Sequence, residues 1–178
     1  MKLGMGPTRV HPDPTVQDYC PIGGYSSDFT AGTDSFADAS GVNVSFALTG
    51  NVDSIGGLDD TLKVVVSRPD PTALIVPHNP IRGTDSDIQA TSVGCRYQLS
   101  FKVFFPTGNT MSALGDCSLN GGELVDTGVA GKALNTWHNI GPIEVAAGNT
   151  PGDGLEIGLT GFADSDEVYF KGITLVNA

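Results

Sequence analysis

Residues 166–177 read DEVYFKGITLVN, and this stretch decides the fold class. Its apolar residues recur in the manner of a half-buried β-strand, in which successive side chains point to opposite faces. An earlier stretch, residues 26–36, reads SSDFTAGTDSF and is its counterpart near the other end of the chain. We expect the later strand to close a sheet and to end the domain.

The two stretches resemble the ends of the galactose-binding-like jelly rolls found among carbohydrate-binding modules, a sandwich also used in phage virion decoration proteins. In that family the opening reads roughly Asn-x-x-Phe-Glu-x-Gly-x-x-x-Trp, and the last strand roughly Val-Tyr-Ile-Asp-Asp-Val-x-Leu. The residues that fall on these two patterns are Phe29, Gly32 and Phe36, and then Val168, Tyr169, Phe170, Ile173 and Leu175.

Three further segments follow the order of the family. Residues 62–66 match its Gly-x-x-x-Leu-x-Val strand, residues 95–105 match its long Tyr-x-Leu-x-Phe-x-Val strand, and Thr136 with Trp137 match the Thr-Trp that opens a late strand. The resemblance covers residues 26–177 and implies an all-β fold, a two-sheet antiparallel jelly-roll sandwich. It also implies that Trp137 packs the core. Fold alone does not establish function.

The resemblance also implies a structural calcium site, formed in the family by the opening Glu and the closing Asp pair. This chain has Thr30, Lys171 and Gly172 at those positions. Calcium needs six to eight oxygen ligands, and the ammonium group of Lys171 would repel it. We therefore expect this site to be empty, and we expect no cofactor.

Composition narrows the function classes. The chain has 178 residues, with 24 Gly, 11 Pro and 39% hydrophobic residues, which is typical of a loop-rich β-domain. Its formal net charge of −11 would repel a nucleic-acid backbone. No apolar run approaches the roughly 20 residues that span a bilayer. The start, MKLGMGPTRV, lacks the apolar stretch of a signal peptide, so we expect synthesis and retention in a cytoplasm.

Residues 1–25 differ from the remainder of the chain. They contain Pro7, Pro12, Pro14 and Pro21 and show no sustained strand or helix period, so they are predicted to form an extended arm before a sandwich domain at 26–178. We expect the arm to bind a partner chain. Its candidate contact residues are Arg9, Val10, His11, Tyr19 and Tyr25.

A succession of short strands is predicted within the domain. The clearest is 95–105, where apolar residues from Cys95 to Phe105 alternate with polar ones. Other strands are expected at 42–48, 61–67, 73–76, 124–125, 137–147 and 155–159, and no helix is convincing.

The cysteines Cys20, Cys95 and Cys117 are far apart and odd in number, and their spacing matches no zinc or redox motif. We expect three free thiols in a reducing compartment. A Cys95–Cys117 bridge is the alternative.

Nothing in the sequence supports catalysis, and we expect no enzyme. The acidic clusters lie in polar turns, where carboxylates are solvated, and a glycosidase would need one carboxylate with a raised pKa. If the chain holds a metal at all, the candidate ligands are Asp164, Asp166 and Glu167. The histidines His11, His78 and His138 have no companion at metal-ligand spacing.

Sugar-binding sandwiches stack pyranose rings on exposed aromatic side chains. With Trp137 assigned to the core and Tyr97 on the buried face of its strand, the remaining candidate platforms are Tyr19, Tyr25 and Tyr169. Of these, Tyr25 and Tyr169 are the predicted glycan-binding residues.

The function favoured by these observations is a structural protein of a large particle, a phage capsid decoration or other virion surface protein docked through its arm. Its partners would be capsid or other virion proteins, in a homo-oligomer, and it would be made in the host cytoplasm and located in the virion. The alternative is a non-catalytic carbohydrate-binding module. A third hypothesis combines the two, a virion surface domain that contacts host glycans.

Overall fold

The computed structural model describes residues 24–27, 29–40, 44–51, 60–68, 80–110 and 112–178. Within these ranges the chain forms eleven strands, one short α-helix, α1 (Ser86–Gln89), and a 3₁₀ turn, Pro151–Asp153. No helix among these residues is long and apolar enough to cross a membrane. The strands are β1 (Gly24–Ser26), β2 (Phe36–Asp38), β3 (Ser45–Thr49), β4 (Leu62–Ser67), β5 (Pro80–Gly83), β6 (Arg96–Phe104), β7 (Asp116–Leu119), β8 (Val125–Asp126), β9 (Trp137–Ala146), β10 (Leu155–Gly158) and β11 (Glu167–Asn177).

Two antiparallel sheets enclose the core. Sheet A has the order β3-β4-β11-β6-β9, with β1 also paired to β11, and sheet B has the order β2-β5-β10-β7-β8. The closing strand β11 lies centrally in sheet A, where it pairs with β1, β4 and β6. The predicted two-sheet antiparallel jelly-roll sandwich is confirmed.

Buried and exposed side chains alternate along β6, as expected, and the buried ones contribute to the core. Tyr97, Leu99, Phe101 and Val103 are all 3% exposed or less, and they point between the sheets. In β11 the buried residues Phe170 and Ile173 are three apart, which strict alternation would not allow. A bulge between Lys171 and Thr174 restores the register, and Gly172 at its centre has a φ of +55°, which glycine adopts without strain.

Two residues that precede the predicted boundary belong to the sandwich. Gly24 and Tyr25, which the sequence assigned to the arm, belong to β1 and pair with β11. The Tyr25 ring lies 6.5 Å from the Phe36 ring, and its hydroxyl donates to Asp34 Oδ2 (3.1 Å). Desolvation raises the pKa of Tyr25. The remaining arm residues, Arg9, Val10, His11 and Tyr19, lie outside the described residues, so a partner-binding arm stays a prediction.

Several elements escaped the sequence patterns. Strands β1, β2 and β5 were not predicted, and helix α1 contradicts the expectation of no helix. The side chain of Asp85 caps this helix by accepting from the backbone N–H of Asp87 (2.8 Å), which is a common role for aspartate. The strand predicted at 73–76 lies outside the described residues.

The cysteine prediction is wrong for Cys95, which is disulfide-bonded, whereas Cys117 is a free, buried thiol. The alternative Cys95–Cys117 bridge is therefore also wrong. Cys95 adjoins β6 of sheet A, and Cys117 lies in β7 of sheet B on the other side of the core. Desolvation raises the pKa of Cys117 to about 12, so this thiol stays protonated and unreactive. The expectation of a reducing compartment rested on three free thiols, and the disulfide at Cys95 removes that support.

Candidate functional site

The outer face of sheet A, turned away from sheet B, carries a row of side chains across five strands. Thr49 of β3 is the Cα partner of Lys63 in β4, Lys63 is the partner of Tyr169 in β11, Tyr169 of Phe104 in β6, and Phe104 of Trp137 in β9. Cross-strand partners of this kind have side chains in contact range. We call Tyr169, Phe104 and Trp137 the aromatic row.

The three rings of the aromatic row pack against one another, but they differ in how much of each is exposed to solvent. The Phe104 ring lies 5.4 Å from the Trp137 ring at 50° and 6.1 Å from the Tyr169 ring at 85°. Phe104 is 2% exposed and Tyr169 is 7% exposed, whereas Trp137 is only partly buried. Trp137 is therefore the member of the row that offers ring surface to a ligand, and Phe104 holds it in place.

The exposed part of the Trp137 side chain is apolar. Its Nε1 atom is buried, and its N–H has no hydrogen-bond partner among the described residues. Every other atom of the indole is carbon, so only hydrocarbon surface is left to face solvent.

At the opposite end of the row, Tyr169 takes part in a polar network. Its hydroxyl donates to Glu167 Oε2 (2.7 Å), and Lys63 Nζ lies 2.6 Å from Glu167 Oε1 and 5.7 Å from the centre of the Tyr169 ring. The hydrogen bond to Glu167 raises the pKa of Lys63, and desolvation raises that of Tyr169. The charges of Lys63 and Glu167 are thus paired, and this end of the row is closed.

A cavity of about 230 Å³ lies at the open end. Its described lining residues are Lys102 of β6, Trp137 and Asn139 of β9, and Lys171 of β11. Lys102 is the Cα partner of both Asn139 and Lys171, so the cavity crosses three neighbouring strands. Lys171 Nζ also contacts Asp60 Oδ1 (2.7 Å). Trp137 forms an apolar wall here, and the other lining side chains supply an amide and two ammonium groups.

The expectation that Trp137 packs the core is wrong. Ile140, which is 7% exposed, faces the core, and Trp137 lies three residues before it in the same strand. Residues three apart in a regular strand point to opposite faces. Strand parity therefore places Trp137 on the outer face.

The predicted stacking residues are less accessible than expected. Tyr25 is 5% exposed and packs against the core, and Tyr169 is 7% exposed. Neither ring has an open face in this structure, which argues against a stacking role for them. The sequence patterns missed Lys102 and Asn139 as site residues. The available signal was Phe104, a large apolar residue on the otherwise polar side of an alternating strand.

The three acidic residues proposed as candidate metal ligands have separate partners. Asp166 is 5% exposed and accepts from Thr110 and Ala163, Asp164 accepts from the backbone N–H of Arg68 (2.8 Å), and Glu167 pairs with Lys63. The expectation of a solvated turn is therefore wrong for Asp166. Over the described part of the chain, no group of three or more His, Cys, Asp or Glu residues could hold a metal ion.

The positions that correspond to the calcium site of the resembling family carry no carboxylate. Lys171 directs its ammonium group to Asp60, Gly172 lies in the β11 bulge, and Thr30 is exposed in a turn. That the calcium site is empty stays a prediction.

Comparison with solved structures gives the fold a precedent. The CBM22-1–GH10 modules of Clostridium thermocellum endo-1,4-β-D-xylanase 10B, complexed with xylohexaose, superpose with a TM-score of 0.56 and 13% sequence identity over 86% of this chain. The predicted carbohydrate-binding-module fold is confirmed. This chain spans 28% of that chain.

A second similar structure is the CBM22-1 xylan-binding domain of Paenibacillus barcinonensis Xyn10C, with a TM-score of 0.49, 15% identity and coverage of 86% of this chain and 94% of that chain. No protein-family model matches the sequence, and no curated protein matches it either. At these identities the likeness concerns the fold alone, and the ligands named are those of the other proteins.

Proposed function

We propose that this chain is a non-catalytic glycan-binding module, and that it stacks a sugar ring on Trp137 at the outer face of sheet A. The observation that carries the proposal is the cavity in which the partly exposed Trp137 stands beside Asn139, Lys102 and Lys171. A pyranose has an apolar C–H face and a rim of hydroxyls. It therefore needs both an aromatic wall and polar groups in a fixed arrangement.

The size of the cavity favours a single sugar residue. Its volume of about 230 Å³ is below the roughly 300–1,000 Å³ of pockets that enclose drug-sized ligands. A longer glycan would place one ring in the cavity and lie along the sheet on either side. The packing of Trp137 on Phe104 fixes the ring before binding, which lowers the entropic cost of association.

The same residues argue against hydrolysis. Glycosidases place two carboxyl groups roughly 5–9.5 Å apart on either side of the scissile bond. The described residues that line the cavity include no carboxylate, and the nearby Asp60 is paired with Lys171. The arrangement supports binding without bond cleavage.

A virion role remains a prediction from the sequence. Of the arm residues that would dock it, Arg9, Val10, His11 and Tyr19 lie outside the described residues, and Tyr25 is part of β1. The xylanase structure supports the glycan-binding alternative instead. The disulfide at Cys95 also fits an oxidising compartment better than a cytoplasm. We therefore place the protein outside the cytoplasm as part of this proposal.

Replacing Trp137 with alanine should weaken binding to xylohexaose, measured by calorimetry, by at least about tenfold, because the stacking surface is lost. The same change should lower the free energy of unfolding by only about 1 kcal/mol, the value of one aromatic contact. A fully buried tryptophan would cost roughly 3–5 kcal/mol.

The matched control is Val176→Ala, which removes an exposed apolar side chain from the same face of β11. Its affinity should equal that of the unmodified protein. If Trp137→Ala binds xylohexaose as tightly as Val176→Ala does, Trp137 is not part of the binding site. If no glycan binds to the unmodified protein, the proposed function is wrong.

A further inference from the structure

Two lysines stand side by side on the outer face of sheet A. Lys102 of β6 and Lys171 of β11 are Cα partners on adjacent antiparallel strands, and both line the cavity beside Trp137. Like charges directly opposite each other destabilise a sheet. An arrangement that costs stability at a concave surface is often retained for binding.

The pairing of these lysines is unequal. Lys171 is neutralised by Asp60 at 2.7 Å, whereas Lys102 is exposed and has no ion-pair partner among the described residues. The two lysines and one aspartate leave one net positive charge at the cavity. By contrast, other basic residues of the sheets are paired, namely Lys63 with Glu167, Arg82 with Glu156 and Arg96 with Glu144.

This local positive charge is opposite in sign to the whole chain. The protein has 20 acidic and 9 basic residues, so an anionic polymer would be repelled by most of its surface. Although carboxylates are in excess over the whole chain, none of the described ones pairs with Lys102. Its ammonium group, beside Trp137, is therefore available to a ligand. Asn139, the Cα partner of Lys102, adds an exposed amide next to it.

We infer that the cavity binds an acidic sugar, one that carries a uronate carboxylate or a sulfate ester. The inference rests on the proposed function and deepens it by naming the ligand class. The ring stacks on Trp137, and its anionic group accepts a charge-assisted hydrogen bond from the Lys102 ammonium. Lys171 is paired with Asp60, so the charge available to the ligand is that of Lys102.

The test uses matched pairs of oligosaccharides and the complete chain. One pair is hexagalacturonate and its methyl ester, and the other is a sulfated oligosaccharide and its desulfated form, with xylohexaose as a neutral reference. We expect one acidic member to bind about tenfold more tightly than its uncharged partner, as one charge-assisted hydrogen bond supplies. The pair that shows the difference identifies the anionic group. The preference should fall as salt concentration rises.

Lys102→Gln should reduce the acidic-to-neutral affinity ratio toward one, and Lys132→Gln, a lysine outside the cavity lining, should leave the ratio unchanged. Equal binding of charged and uncharged partners, or a ratio unaffected by Lys102→Gln, would overturn the inference and leave the proposed function standing. If neither acidic nor neutral glycans bind, the proposed function fails and the inference fails with it.

Lys102→Gln also has a prediction that needs no ligand. Relief of the repulsion from Lys171 should leave the melting temperature unchanged or raise it slightly. A marked decrease would show that Lys102 has a structural role, which would contradict the assignment of its charge to a ligand.

Discussion

Replacing Asn120 with alanine is expected to lower the free energy of unfolding by roughly 3–5 kcal/mol, because the change removes a fully buried amide and breaks its three hydrogen bonds. Asn120 is 0% exposed. It donates from Nδ2 to the carbonyl oxygen of Ile88 (3.0 Å) and to Thr91 Oγ1 (2.6 Å), and its Oδ1 accepts from the backbone N–H of Gly154 (3.0 Å). The amide thus joins the turn after β7 to α1 and to the start of β10.

Asn135→Ala is the matched control. Both asparagines have left-handed backbones, with φ of 48° at Asn120 and 58° at Asn135, but Asn135 is exposed. Alanine at Asn135 should therefore cost only the roughly 1–2 kcal/mol of the left-handed conformation. Urea unfolding measures the free energy of unfolding of both variants, provided that its dependence on urea concentration has the same slope in each. Equal losses would mean that the backbone, and not the buried hydrogen bonds, explains the effect at Asn120.

The second large effect is expected at Asp166, where alanine should cost about 3 kcal/mol. The Asp166 carboxylate accepts from the backbone N–H and the hydroxyl of Thr110 (3.1 and 2.7 Å) and from the backbone N–H of Ala163 (2.9 Å). Removing the carboxylate breaks three hydrogen bonds to a charged group, each worth about 1.5–3 kcal/mol where it is shielded from water. Thr110 is exposed and Ala163 is only partly buried, so water replaces part of what is lost. The carboxylate ties the loop after β6 to the turn that begins β11.

The neighbouring Asp164 supplies the control for this position. It is exposed and accepts one backbone N–H, from Arg68 (2.8 Å), so Asp164→Ala should cost less than about 1 kcal/mol. Thermal unfolding of both variants and of the unmodified protein gives the comparison. If Asp164→Ala is the more destabilising change, the structural role assigned to Asp166 is wrong.

The fold could be predicted from sequence largely because alternation is a local property. The strand at 95–105 showed its buried face directly, and β6 follows it within one residue at each end. By contrast, β5 begins at Pro80, a residue that usually argues against a strand interior. The bulge at Gly172 was not foreseen, since its presence depends on pairing between β11 and β6 and not on the local pattern.

The candidate site was harder to predict, since it depends on register. Lys102, Asn139 and Lys171 become neighbours only when three strands distant in sequence are aligned. The family resemblance also placed Trp137 in the core, although counting from Ile140 along its own strand puts it on the outer face. For the position of Trp137, the alternation of side chains along β9 was thus a better guide than the family resemblance.

The fluorescence of Trp137 shows whether this side chain is accessible and stacks on a sugar, because it is the one tryptophan of the chain. An accessible Trp137 should give emission that an aqueous quencher such as acrylamide reduces. Xylohexaose or an acidic oligosaccharide should change this emission saturably and protect it from the quencher. Blue-shifted emission that resists quenching and stays unchanged with every glycan added would contradict the proposed role of Trp137.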